Sequence, residues 1–144
     1  VFWMGRVGSP SKRSNTMRRI SLVALSASLF CFSMMAGAQS LSQDMDILGM
    51  NLVTVQHSNT AAEMQQALKK MRAAALDAEK QTPYSLQGQA ADSADMTAYR
   101  AGIHQLIAQI DVVDKLAQHD KLDQAKQQAI KLIDIRNQNH SKFR

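Results

Sequence analysis

The sequence predicts an all-α fold, an antiparallel up-down-up-down four-helix bundle. Three observations carry that prediction. Along four separate segments after Gln39, apolar residues recur in steps of three and four, the period of a helix with one buried face. Ala, Gln, Leu, Lys and Asp dominate this region, and its aromatic residues are Tyr84, Tyr99 and Phe143, a composition that suits helix better than strand. No stretch shows the apolar–polar alternation between turn residues that marks a strand.

The first helix is carried by Leu41, Met45, Leu48, Leu52 and Val55, stepping by four, three, four and three. Thr60 with Glu63 three residues later has the form of a capping box. It opens a second helix with Met64, Leu68, Met71, Ala75 and Ala78 on one face. Asp92-Ser93 opens a third, which keeps the pattern through Met96, Tyr99, Ile103, Leu106, Ile110, Val113 and Ala117. The fourth runs from about Leu122 through Ala125, Ala129, Ile133, Arg136 and His140 to Phe143. The links around Gln56–Asn59 and His119–Asp120 are short, which forces antiparallel neighbours. The middle link, Gln81 to Ala91 with Pro83 and Gly88, is longer than such a bundle needs, and long loops in compact domains are often functional.

Residues 1–38 stand apart from this pattern. Met17-Arg18-Arg19 is a short basic start, Ile20 to Met35 is apolar, and Ala36-Gly37-Ala38 offers the small residues that signal peptidase accepts. The segment reads as an upstream stretch, with Met17 the expected initiator, followed by a cleaved secretory leader for the general export route. It is too short for a lasting membrane span. The exported domain, residues 39–144, is expected in the periplasm.

Without the leader the charge balance changes. The whole chain has 17 Lys and Arg against 12 Asp and Glu. Arg6, Lys12, Arg13, Arg18 and Arg19 precede Gln39 with no acid among them, which leaves twelve basic and twelve acidic residues. The basic character belongs to the leader, so nucleic-acid and acidic-membrane partners lose their support. Cys31, the one cysteine, also lies in the leader. The exported chain therefore has no disulfide, no thiolate metal site and no Cys-x-x-Cys-His for covalent haem attachment.

The up-down order brings the start of the first helix and the end of the fourth to one pole, together with Tyr99 and the long loop. Met45 and His140 meet there. A thioether and an imidazole are the ligand pair of a six-coordinate electron-transfer haem. Each also has an ordinary reading, Met45 as core filler and His140 as a complement to the helix dipole. Arg136, one turn before His140, interrupts the apolar stripe with a charge that a polar partner would have to satisfy. Other candidates are weaker. His57 and His119 fall at turns, and His104 falls on the flank of the third helix. Asp111 and Asp114 form an acidic pair, but no Glu-x-x-His follows to make a di-iron site. Neither a phosphate-binding glycine loop nor a Ser/His/Asp set is present, so no enzyme is expected.

One block is more specific than this pattern, Met71-Arg72-Ala73-Ala74-Ala75-Leu76-Asp77-Ala78. With it go Thr82-Pro83, Asp92-Ser93, Gly102, Gln109-Ile110-Asp111 and the ending Arg136-Asn137, His140, Lys142 and Arg144. In these residues the chain resembles the soluble periplasmic cytochrome b-562 family, without gaps from about Met45 to Arg144. The resemblance implies one non-covalent haem b (iron protoporphyrin IX) per chain, with Met45 and His140 as the axial ligands of its iron. Leu48, Tyr99, Ile103 and Arg136 are expected around it. It also implies an electron carrier and not an enzyme, exchanging electrons with redox partner proteins and expected as a monomer. Ile103 stands where the family has a second haem-side aromatic, and Tyr84 replaces a proline after Pro83. The rival reading is a non-haem periplasmic bundle, an adaptor or stress-binding module that keeps only the scaffold.

Overall fold

Helical order begins at a reciprocal cap. Ser40 Oγ accepts from the Gln43 backbone N–H at 3.2 Å, and the Gln43 side chain accepts from the Ser40 N–H at 3.0 Å. The pair satisfies donors that the first turn would otherwise leave open and starts α1 (Leu41–His57). The computed structural model describes residues 40–143. The expected leader lies outside them. Beyond α1 come α2 (Ala61–Glu79), a single 3₁₀ turn (Tyr84–Leu86), α3 (Ala94–Gln118) and α4 (Leu122–Phe143). No strand occurs among the described residues, and no helix there is long and apolar enough to cross a membrane.

Thr60 caps α2 as expected, its Oγ1 accepting from the Glu63 N–H at 3.2 Å. The reciprocal half differs, because the Glu63 carboxylate accepts from the Asn59 N–H, one residue before the cap. Ser93 caps α3 by accepting from the Met96 N–H at 3.2 Å. Each such cap stabilises its helix by about 1 kcal/mol. Between α3 and α4 the chain reverses on Asp120 at φ 57°. The Lys121 N–H donates to Leu116 O and the Asp120 N–H to Ala117 O, the paired bonds of a Schellman ending with Asp where Gly is commoner.

Each helix packs against the next in sequence, and α4 returns beside α1. The core is built from fully buried Val55, Met64, Leu68, Met71, Ile110, Val113 and Leu132. Ala125 and Ala129, both fully buried, bring the first half of α4 close, since interaxial distance follows the side chains at the contact. Of the neighbouring pairs, α1 and α4 touch at the fewest points. The buried stripe of α4 runs through Ala125, Ala129, Leu132 and Ile135. The expectation that it passes through Ile133 and Arg136 is corrected: Ile133 is half-buried and Arg136 exposed. Both settings satisfy a step of three or four, and packing against α3 selects the first.

At the start of α1 the inward stripe ends on a carboxylate. Asp44 is fully buried in line with Leu48 and Leu52. Its Oδ2 accepts from Gln81 Nε2 at 2.6 Å, and the same nitrogen donates to Asp77 Oδ2 at 3.0 Å. Gln81 thus links the first turn of α1 to the end of α2. Among the described residues, Asp44 Oδ1 has no hydrogen-bond partner. Burial first, and then the charge of Asp77, push the Asp44 carboxyl from 3.8 up to about 6.

A folded-state pKa above the unfolded value means that the fold holds the proton more tightly. The stability Asp44 contributes is therefore complete below about pH 4 and is lost as pH rises through about 6. Asp44→Asn, measured on haem-free protein, is expected to melt with the native chain at pH 4 and several degrees above it at pH 8. Thermal melting at the two pH values checks this, and a variant melting below the native chain at pH 8 would contradict it.

Candidate functional site

A cavity of about 700 Å³ opens between the first turns of α1 and the last turns of α4, where these two helices are least closely packed. That volume lies within the range of cofactor pockets. Leu41, Met45, Leu48, Gly49 and Leu52 line it from α1, and Tyr99, Gly102, Ile103 and Leu106 from α3. Leu132, Ile135, Arg136, Asn139, His140 and Phe143 line it from α4, while Met71 of α2 and Pro83 of the long loop complete the wall. The six residues singled out from the sequence (Met45, Leu48, Tyr99, Ile103, Arg136 and His140) all lie on this one surface.

Their settings differ. Leu48 and Ile103 are buried, Met45 is half-buried, and His140 and Arg136 are exposed. Met45 stands one position round the helix from buried Asp44, so its thioether faces the slot and is not lost in the core. The Arg136 guanidinium donates to Asn137 Oδ1 at 3.2 and 3.1 Å. It lines the slot from an exposed position on α4, because the buried stripe passes through Ile135 beside it.

Tyr99 is buried, and its hydroxyl donates to Ala78 O at 2.6 Å. Burial, and next the charge of Asp44, push its hydroxyl up to about 12, so it stays neutral across the working range. Its ring meets Phe143 edge to face, with centroids 5.6 Å apart and planes at 83°, a favoured aromatic geometry. Ser85 Oγ donates to Phe143 O at 3.0 Å, which fastens the loop between α2 and α3 to the end of α4. The long loop thus covers this pole, as its length suggested.

Sequence reasoning missed Gly49, Gly102 and Asn139 as part of the wall. Gly49 carried a signal, since glycine inside a helix costs about 1 kcal/mol relative to alanine. A Cβ added at Gly49 would meet nothing within 4 Å. The glycine leaves the slot wider on the same helix as Met45, one turn further along.

Elsewhere the titratable groups are already engaged or stand singly. His104 pairs with Glu79 on the exposed surface. Asp111 accepts from Arg72 Nε at 2.8 Å, whereas Asp114 accepts from Gln118, so the acidic pair is divided between separate partners. Among the described residues no three His, Cys, Asp or Glu side chains are grouped to hold a metal ion. The donor set of the slot suits a flat iron macrocycle. It offers one thioether and one imidazole from different helices, in a largely apolar cavity, the combination a six-coordinate haem takes.

The sequence model of the cytochrome b562 family matches residues 40–144. Two proteins of Yersinia pestis, named probable soluble cytochrome b562 1 and 2, are 40% and 35% identical to the chain over 128 residues, covering 89% of this chain and 100% of theirs. An uncharacterised protein of Pasteurella multocida (strain Pm70) is 33% identical over 124 residues, covering 85% of this chain and 97% of its own. With this match over the whole bundle, the chain belongs to the cytochrome b562 family, a family of four-helix b-type haem proteins.

Proposed function

We propose that this protein is an exported, monomeric electron carrier of the periplasm. It holds one non-covalent haem b between α1 and α4, with Met45 and His140 as axial ligands. The observation that carries the reading is that these two side chains, 95 positions apart in sequence, line a single cavity. When bound, the haem supplies a one-electron ferrous–ferric couple.

The chain's own residues do the rest. Met45 and His140 would hold the iron from two helices, leaving no ligand position for a substrate or dioxygen, which suits a carrier and not an enzyme. The softer thioether favours the ferrous state and raises the potential relative to a second imidazole. Leu48, Leu52, Ile103 and Leu106 supply an apolar wall. Pro83 and Phe143, tied by the Ser85 bond, keep water from the covered side. Tyr99 contributes its ring face, because its hydroxyl is already committed to Ala78 O. Four helices packed along their length change little between redox states, so an electron can enter and leave with little rearrangement. Cys31, the one cysteine, precedes the bundle, and attachment is therefore non-covalent. The leader read in residues 17–38 supports export, and redox partner proteins are expected to meet the exposed edge near Arg136.

Absorption spectra of two variants test the ligand assignment. His140→Ala is expected to lose the low-spin six-coordinate spectrum and to retain haem weakly. Met45→Ala is expected to keep haem with one axial position open. Native spectra from both variants would overturn the assignment. Loading should also raise the melting temperature, because a ligand that binds only the folded state adds RT ln(1 + [L]/Kd), about 4 kcal/mol at a thousandfold excess over Kd. Equal melting of haem-free and haem-loaded protein would contradict binding in the bundle.

A further inference from the structure

Gly102 is buried within α3, and its φ is not in the left-handed region, so backbone freedom does not explain it. Its surroundings do. A Cβ built there would lie 2.0 Å from Asn139 Oδ1 and 2.7 Å from Asn139 Cγ. The amide of Asn139 occupies the place where a side chain of α3 would stand. Its nitrogen donates to Ile135 O at 2.8 Å, one turn back along α4. Both ends of the amide are thus engaged, the nitrogen on its own helix and the oxygen in the notch of the next.

We propose that Gly102 is a positioning residue for haem binding: its notch holds the Asn139 amide out of the slot and seats the last turns of α4, with His140, against α3. The inference rests on the haem function proposed above. Any side chain at position 102 would force the amide oxygen back by more than an ångström to reach ordinary contact. One response moves the end of α4 outward and carries His140, the next residue, away from the slot. The other rotates the amide out of the notch, breaks its bond to Ile135 O and sends it into the cavity that Asn139 already lines. Ser85, bonded to Phe143 O, resists the outward movement. The rotation is therefore the easier path, and it takes volume from the haem. In haem-free protein the same rotation meets open space.

The test is a set of three variants, Gly102→Ala, Asn139→Ala and the double, each titrated with haem by absorption and melted without it. Haem-free Gly102→Ala is expected to melt close to the native chain, since the stability that alanine adds to a helix offsets the similar cost of the lost Asn139 bond. Its haem affinity should fall about tenfold or more, in the range of lost support behind a metal ligand. The double variant should recover the affinity of Asn139→Ala, because removing the amide removes the conflict. Native affinity in Gly102→Ala, or no recovery in the double variant, would overturn the inference. A native chain that takes up no haem would overturn the function itself and this inference with it, an outcome distinct from a native chain that binds while Gly102→Ala binds equally well.

Discussion

The bundle must be closed along most of its length and yet stay open where α1 meets α4. Among the described helices, these two are the neighbours in the ring that no loop connects, so side chains set their spacing. In the first half of α4, Ala125 and Ala129 are fully buried and allow close packing. In the second half, Leu132 and Ile135 face a cavity, and Gly49 leaves the opposing helix bare. The open seam is a consequence of where large and small residues are placed. It turns a structural scaffold into a binding protein.

The other features of this pole keep the seam in position. The Asp44–Gln81–Asp77 linkage joins the start of α1 to the end of α2, one residue from Met45. Tyr99 fastens α3 to the last turn of α2 through Ala78 O, and it meets Phe143 at the end of α4. Ser85 fastens the loop to that same residue. All four helices are therefore tied near the cavity by groups whose partners lie in other elements. The buried, partly unsatisfied carboxylate of Asp44 stands out among them, because an orphaned acceptor is costly to bury. Its raised pKa follows from that cost. Near neutral pH it destabilises the fold next to Met45, at the mouth of the cavity.

Much of this was legible in the sequence. The helix limits emerged almost residue for residue, because caps at Thr60 and Ser93 and the apolar steps are local signals. That Met45 and His140 line one cavity accords with the topology, since short links leave one antiparallel order. The rotation of α4 did not follow. Stripes through Ile133 and Arg136 or through Leu132 and Ile135 differ by about 100°, and only contact with α3 decides between them. Asp44 was hidden for a related reason. An acid in a first turn is what the helix dipole favours, so nothing local said that it points inward. Gly49 and Gly102 were visible as glycines inside helices, but the groups that need their space come from elsewhere in the chain.

The proposed function requires that the seam between α1 and α4 take one haem and give its iron one thioether and one imidazole. Titrating haem-free protein with haem while recording the ferrous absorption spectrum tests it most directly. Saturation is expected at one haem per chain, with the sharp low-spin bands of a six-coordinate iron throughout the titration. A gradual rise without a stoichiometric end point, or a high-spin five-coordinate spectrum in the native protein, would contradict it.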